Sequence, residues 1–236
     1  MTKEVFRSDA YCRECKAMVT ASAPGAIQLD RTNFYPMGGG QPGDTGMLIL
    51  EDGVEIEVFD THKGDGGQAI QHVVDKHIPL LDPGTIVVAQ IDWHRRYRHM
   101  RIHTCLHLLC ATVPYGVTGG QISNGKGRLD FDIGDATLHK EAITVELNRL
   151  ISEDHEVRSR WITEEDLKAQ PELIRTMSVA PPNDQGSVRL LEIGTIDLQP
   201  CGGTHVVRTG EIGEVVVQKI ENKGKHNRRV KIALVE

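Results

Sequence analysis

Through the first 90 residues, short apolar or β-branched runs alternate with polar positions: GAIQLD, GMLILEDG, VEIEVFDTH, AIQHVVDK and TIVVAQIDW. A period of two puts one face of each run inward, and Gly, Pro and Asp punctuate the runs. Several short strands at this spacing predict a small β-barrel. Among them lies FYPMGGGQPGDTG, Phe34 to Gly46, the most glycine-rich stretch of the chain. At Trp93 the pattern changes. HRRYRHMRIHTCLHLLCATV, His94 to Val113, contains neither Gly nor Pro, and its apolar positions fit a helical face.

PYGVTGGQISNGKG then reads as a loop and RLDFDI as a strand. Asp135 is the expected N-cap of a helix reaching about Asp154, with Ile143, Leu147, Leu150 and Ile151 on one face. EVRSRWIT reads as a strand, and TEEDLKAQPELI as a short helix that Pro171 interrupts. VRLLEIG, IDLQP, GEVVVQKIEN and RRVKIALVE supply the remaining strands. The expected fold class is α+β. An N-terminal small β-barrel over 1–92 precedes a domain over 93–236, in which a mostly antiparallel sheet packs with helices.

Composition narrows the class. Aromatics make up only 4% of the 236 residues, so the cores must rest on Val, Ile and Leu. No apolar run approaches the roughly 20 residues that span a bilayer. The opening MTKEVFRSDAYCRECKAM lacks the long apolar segment of a signal peptide. A cytoplasmic protein that does not engage a membrane is expected. Five cysteines, an odd and irregularly spaced set, argue against a disulfide framework and leave thiols available as ligands. A formal net charge of -6 excludes a bulk nucleic-acid coat but leaves room for local phosphate contacts.

The candidate chemistry lies in two short elements. In HTCLH, His103 and His107 stand at i, i+4 on the predicted helix, which puts both imidazoles on one face. In CGGTH, Cys201 and His205 bracket Gly202, Gly203 and Thr204, and the glycines let the backbone turn tightly and approach a substrate. Either pair alone is a common accident. Together they form a His3Cys set suited to a borderline-soft ion, with one Zn2+ per chain the natural candidate, since the thiolate disfavours Mg2+ or Ca2+.

Cys12 and Cys15 form a C-x-x-C without a companion pair, and an incidental thiol pair is the better reading. The glycine run Gly38, Gly39 and Gly40 is neither a P-loop nor a dinucleotide fingerprint. Phosphate cradling by its amides and a plain turn between strands are equally open. Two basic clusters stand out: Arg95, Arg96, Arg98 and Arg101 on the predicted helix, and Lys223, Lys225, Arg228, Arg229 and Lys231 near the end. In an acidic chain, two such patches flanking a metal site fit local phosphate contacts.

HTCLH with CGGTH, preceded by FYPMGGGQPGDTG and followed by RTGEIG and GKHNRRV, resembles the alanyl-tRNA editing proteins. These AlaX proteins are free-standing relatives of the alanyl-tRNA synthetase editing domain. The likeness runs from about Phe34 to Val230, and the length resembles the medium-length type. The resemblance implies hydrolysis of the ester on mischarged tRNA(Ala): Ser-tRNA(Ala) first, Gly-tRNA(Ala) as a further substrate, with Ala-tRNA(Ala) spared. His103, His107, Cys201 and His205 match the family's metal ligands, and Gln121 a polar position of its amino-acid pocket. Ser123, Thr204, Gly202 and Gly203 join Gln121 as expected substrate contacts. Gly38 to Gly40 match the motif linked to discrimination, and Arg95, Arg96, Lys225, Arg228 and Arg229 are the expected tRNA contacts. A monomer is expected. Two rivals stand beside this reading: a tRNA-binding module with structural zinc, and another zinc hydrolase acting on small esters or amides. The absence of H-E-x-x-H counts against a common peptidase mechanism.

Overall fold

The computed structural model describes residues 1–64, 67, 69–174, 183–184 and 186–235. The chain divides into two compact units, Met1–Tyr97 and Arg98–Glu236.

The first unit is built on β1 (Glu14–Ala23), β2 (Ala26–Leu29), β3 (Gly46–Leu50), β4 (Glu55–Val58), β5 (Asp60–Lys63), β6 (Ile70–Val73) and β7 (Ile86–Ile91). They form one seven-stranded sheet in the order β4-β3-β7-β1-β2-β6-β5. The pairings are antiparallel. The small barrel expected from the sequence is not formed. Among the described residues no ladder joins the two end strands. VEIEVFDTH, expected as one run, breaks at Phe59 into β4 and β5. β4 pairs with β3 and β5 with β6, so the two ends of the sheet are linked through Phe59 by the chain itself and not by a ladder. Val19, Ile27, Leu29, Phe34, Leu48, Val58, Val87 and Ala89 fill the core.

The glycine-rich stretch is a turn held by its own backbone. Gly39 and Gly40 take φ of 56° and 82°, where a Cβ is strained, and Gly38 and Gln41 bridge each other. Met37 N–H donates to Thr61 O, and Asp44 N–H to Tyr35 O. Asp44 anchors the turn with a buried ion pair to Arg96, whose guanidinium also donates to the Ala10 and Asn33 carbonyls.

In the second unit the long helix α1 (Trp93–Thr112), which starts in the first, is buried without a break from Ile102 to Cys110. A helix covered on every side needs neighbours all round. One neighbour is the four-stranded antiparallel sheet β8 (Gly116–Ser123), β9 (Lys126–Asp132), β13 (Val215–Asn222) and β14 (Asn227–Leu234), in the order β8-β9-β14-β13. Gly127 of β9 lets the helix close in: a Cβ there would stand 2.7 Å from Ile102 Cγ2 and 3.2 Å from Leu106 Cδ2. Another neighbour is the sheet of β10 (Val157–Thr163), β11 (Ser187–Ile193) and β12 (Asp197–Pro200), with β11 between the other two.

Two sequence expectations are corrected here. Gly116–Ser123 falls within the expected loop, yet it is β8; its glycines tolerate a bulge between Val117 and Gly119. The helix expected from Asp135, α2, begins only at Lys140, with no side-chain cap at His139, and ends at Ser152. Its buried face is Ile143, Leu147, Leu150 and Ile151 as the pattern predicts, and Asn148 ties it to β13 through both Val215 N–H and O. Thr163 caps α3 (Glu164–Ala169) in a reciprocal box with Asp166, and Pro171 opens a separate 3-10 turn.

Candidate metal centre

Each residue of α1 is turned about 100° from the last. With Ile102 and Leu106 on β9, His103 and His107 face another way, toward the segment that follows β12. That segment, Cys201 to Arg208, has no regular structure of its own, so other groups must fix it. Arg189 of β11 does so: its guanidinium, 6% exposed, donates to Cys201 O and Gly203 O at 2.9 Å each. Cys201 N–H in turn donates to Arg189 O.

The result is a buried cluster of His103, His107, Cys201 and His205 with all four donor atoms within 4.8 Å of one another. Cys201 Sγ lies 3.1 Å from His205 Nε2 and 3.5 Å from His103 Nε2. Bond lengths of about 2.3 Å to sulfur and 2.0–2.1 Å to nitrogen give a tetrahedral S···N edge of about 3.5 Å, so the cluster suits a small ion.

Outer groups set the tautomers. His107 Nδ1 lies 2.9 Å from Asp197 Oδ2, which also accepts from Gln199 Nε2 at 2.7 Å. A carboxylate can only accept, so Nδ1 carries the proton and Nε2 is left for an ion. Thr104 does the same for His205. Its hydroxyl donates to Met100 O, and its oxygen accepts from His205 Nδ1 at 3.2 Å and from Val206 N–H.

Burial opposes a charge at Cys201, yet the surrounding His103, His205 and His107 hold its thiol well below the ordinary range. Burial also works against a proton on His107, but the Cys201 thiolate and Asp197 outweigh it and push that imidazole up to about 10. His205 is held well below its usual value by burial, reinforced by His103 and His107. The cluster therefore favours a thiolate at Cys201 and a neutral donor at His205.

The other expected residues are dispersed. Thr204 is buried beside the cluster's own ligands in the chain. Gln121 and Ser123 are exposed on β8; Gln121 Oε1 accepts from Arg128 Nε, and Ser123 Oγ donates to Lys126 O. Arg96 is committed to Asp44, and Arg95 donates to Gly43 O. Arg229 is paired with Asp130, while Arg228 donates to Asn227 O and Lys225 is exposed in the β13–β14 turn. Sequence reasoning missed Asp197, Gln199, Thr104 and Arg189. A signal for two of them was present: Asp197, Gln199 and Cys201 alternate with a period of two.

A family model described as threonyl and alanyl tRNA synthetase second additional domain matches residues 188–231, and one described as tRNA synthetases class II (A) matches residues 7–95. The chain is similar to the alanyl-tRNA editing protein AlaX-M of Saccharolobus solfataricus, 37% identical over 98% of both chains. It is equally similar to the AlaX-M of Methanosarcina acetivorans, 37% identical over the whole of both. The alanine–tRNA ligase of Pyrococcus furiosus is 36% identical over 93% of this chain, which spans 24% of that protein.

Proposed function

The chain belongs to the alanyl-tRNA editing protein AlaX-M family, and from that premise we propose that it hydrolyses mischarged tRNA(Ala), chiefly Ser-tRNA(Ala) and also Gly-tRNA(Ala), as a cytoplasmic monomer. The observation that carries this reading is the buried His3Cys cluster, in which His107 and His205 are already oriented by Asp197 and Thr104. Zn2+ is the ion we assign to it, because one thiolate and imidazole nitrogens are its preferred donors and the ion displaces their protons when it binds. When bound, the ion supplies Lewis-acid polarisation to an ester that is already activated.

The chain's own residues do the rest. Asp197 holds the His107 ring, Thr104 holds the His205 ring, and Arg189 holds the backbone carbonyls of the loop between Cys201 and His205. Gly202 is half-buried and Gly203 buried with its carbonyl on Arg189; lacking side chains, they let an aminoacyl end approach the loop. Serine is distinguished from alanine by a polar group that bonds the substrate hydroxyl and is left unpaired when alanine enters. Such sites discriminate by up to about 10^4–10^5. Thr204, Gln121 and Ser123 are the side chains assigned to that task, Thr204 being the one in the metal loop itself.

A second reading has one observation in its favour. Four protein donors close a tetrahedral site, the usual arrangement of a structural ion. It makes the protein a tRNA-binding module without turnover. Zinc-loaded protein incubated with Ser-tRNA(Ala), Gly-tRNA(Ala) and Ala-tRNA(Ala) separates the two. Release of serine, little release of alanine, and loss of both zinc and release in Cys201→Ala are expected. Binding of all three RNAs with no release establishes the second reading instead.

A further inference from the structure

Among the described residues β10 has a ladder on one side only, to β11; on its other side Val157 N–H bonds Val207 O at the start of the strand and no ladder follows. There Trp161 is paired with Arg189 of β11, and the next strand contributes Cys201, whose N–H bonds Arg189 O one residue beyond the Leu190–Pro200 pair. Cross-strand neighbours in register share a face. Trp161, Arg189 and Cys201 therefore form one transverse row on one face. Two parallel rows agree: Ser159, Leu191 and Gln199, then Val157, Ile193 and Asp197. This is the face that turns Asp197 and Cys201 toward the histidines of α1. The opposite face, with Ile162, Val188, Leu190 and Leu198, is covered by Leu167 and Leu173.

Along the row, exposure rises from 8% at Cys201 and 6% at Arg189 to 46% at Trp161. Two strand spacings, about 10 Å, separate the ends. A large indole thus lies at the open rim of the metal face, one nucleoside's reach from the metal loop. The deacylation reading, on which this inference rests, places an ester at that loop; the ester joins the amino acid to the terminal ribose of an RNA. The terminal base is the flat, apolar-faced part of such a substrate that must lie outward from the ester, and a flat indole is the side chain that receives it by stacking.

We propose that Trp161 is the stacking platform for the terminal adenine of the tRNA whose aminoacyl ester is held beside Cys201. Because the chain has only two tryptophans, a Trp93→Phe background leaves Trp161 as the sole emitter. Uncharged tRNA(Ala) ending in CCA should quench that emission, and the same RNA lacking its final A should leave it nearly unchanged. In deacylation of Ser-tRNA(Ala), Trp161→Ala should raise KM about tenfold or more with kcat and bound zinc retained. Trp161→Tyr should recover most of the loss and Trp161→Leu little of it. Equal quenching by the two RNAs, an unchanged KM in Trp161→Ala, or rescue by Leu as complete as by Tyr overturns the proposal; the last outcome marks an apolar protein contact instead. Failure of the wild type to release serine overturns the deacylation reading separately, since quenching needs no turnover.

Discussion

At the scale of residues, the ligands matter less by themselves than by what holds them. Asp197 fixes the His107 ring through Nδ1, so Asp197→Ala should weaken metal affinity by about 10–100-fold while the fold survives. Competition with a chromogenic chelator reads this directly, and wild-type affinity in the variant would remove Asp197 from the centre's design. His72 shows how a histidine becomes structural. Fully buried, it donates from Nδ1 to Ile27 O and accepts at Nε2 from Thr32. Burial, only partly offset by the bond to Ile27, lowers its pKa from 6.5 to about 4. Above pH 6.5 neither state binds the proton, so His72 adds no pH dependence. Between 6.5 and 4 the unfolded chain binds it and the native chain does not, so stability falls with falling pH, by about 3 kcal/mol in all. His72→Gln should flatten this part of the urea-midpoint profile between pH 6.5 and 4.5. A slope equal to the wild type's would show that other groups carry it.

At the scale of elements, α1 decides where the histidines point, and Gly127 decides how close α1 lies to β9. Gly127→Ala places a Cβ 2.7 Å from Ile102 Cγ2, an atom near the backbone that cannot swing aside. A loss of about 1–3 kcal/mol is expected, seen as a lower urea midpoint at unchanged m, and metal affinity should fall with it because His103 adjoins Ile102. A midpoint within error of the wild type would mean that the helix has slack here. The elements also show where pattern reading stops. Glu14–Ala23, the longest strand of the first unit, escaped it because Ala, Thr and Ser alternate there and only Ala17 and Met18's neighbour Val19 are buried apolar residues. β8 escaped it because glycine normally signals a loop, whereas here Gly120 makes room for Leu129 across the strand. α2 began late because Asp135 makes a turn rather than a cap. The strands with β-branched alternation, such as β3 and β7, were legible because side-chain period alone specifies which face is buried.

At the scale of the whole molecule, the mixed α+β character with antiparallel sheets could be read from the alternation of patterns, and the barrel could not. Closure depends on whether the end strands pair, and no local pattern encodes that. Among the described residues no helix is long and apolar enough to cross a membrane. The sequence by itself determined the donor types and their short-range spacing: two imidazoles four apart on a helix, and a thiol four residues from a third imidazole. It also carried the family likeness, since those motifs keep their order and spacing. Only the tertiary structure decided that the two halves meet across 98 residues, that Asp197 reaches His107 across 90, and that Trp161 shares a row with Cys201. The reason is physical. Helix and strand periods are set within a few residues by backbone geometry, but convergence of distant side chains follows from which sheets enclose α1 and in what register.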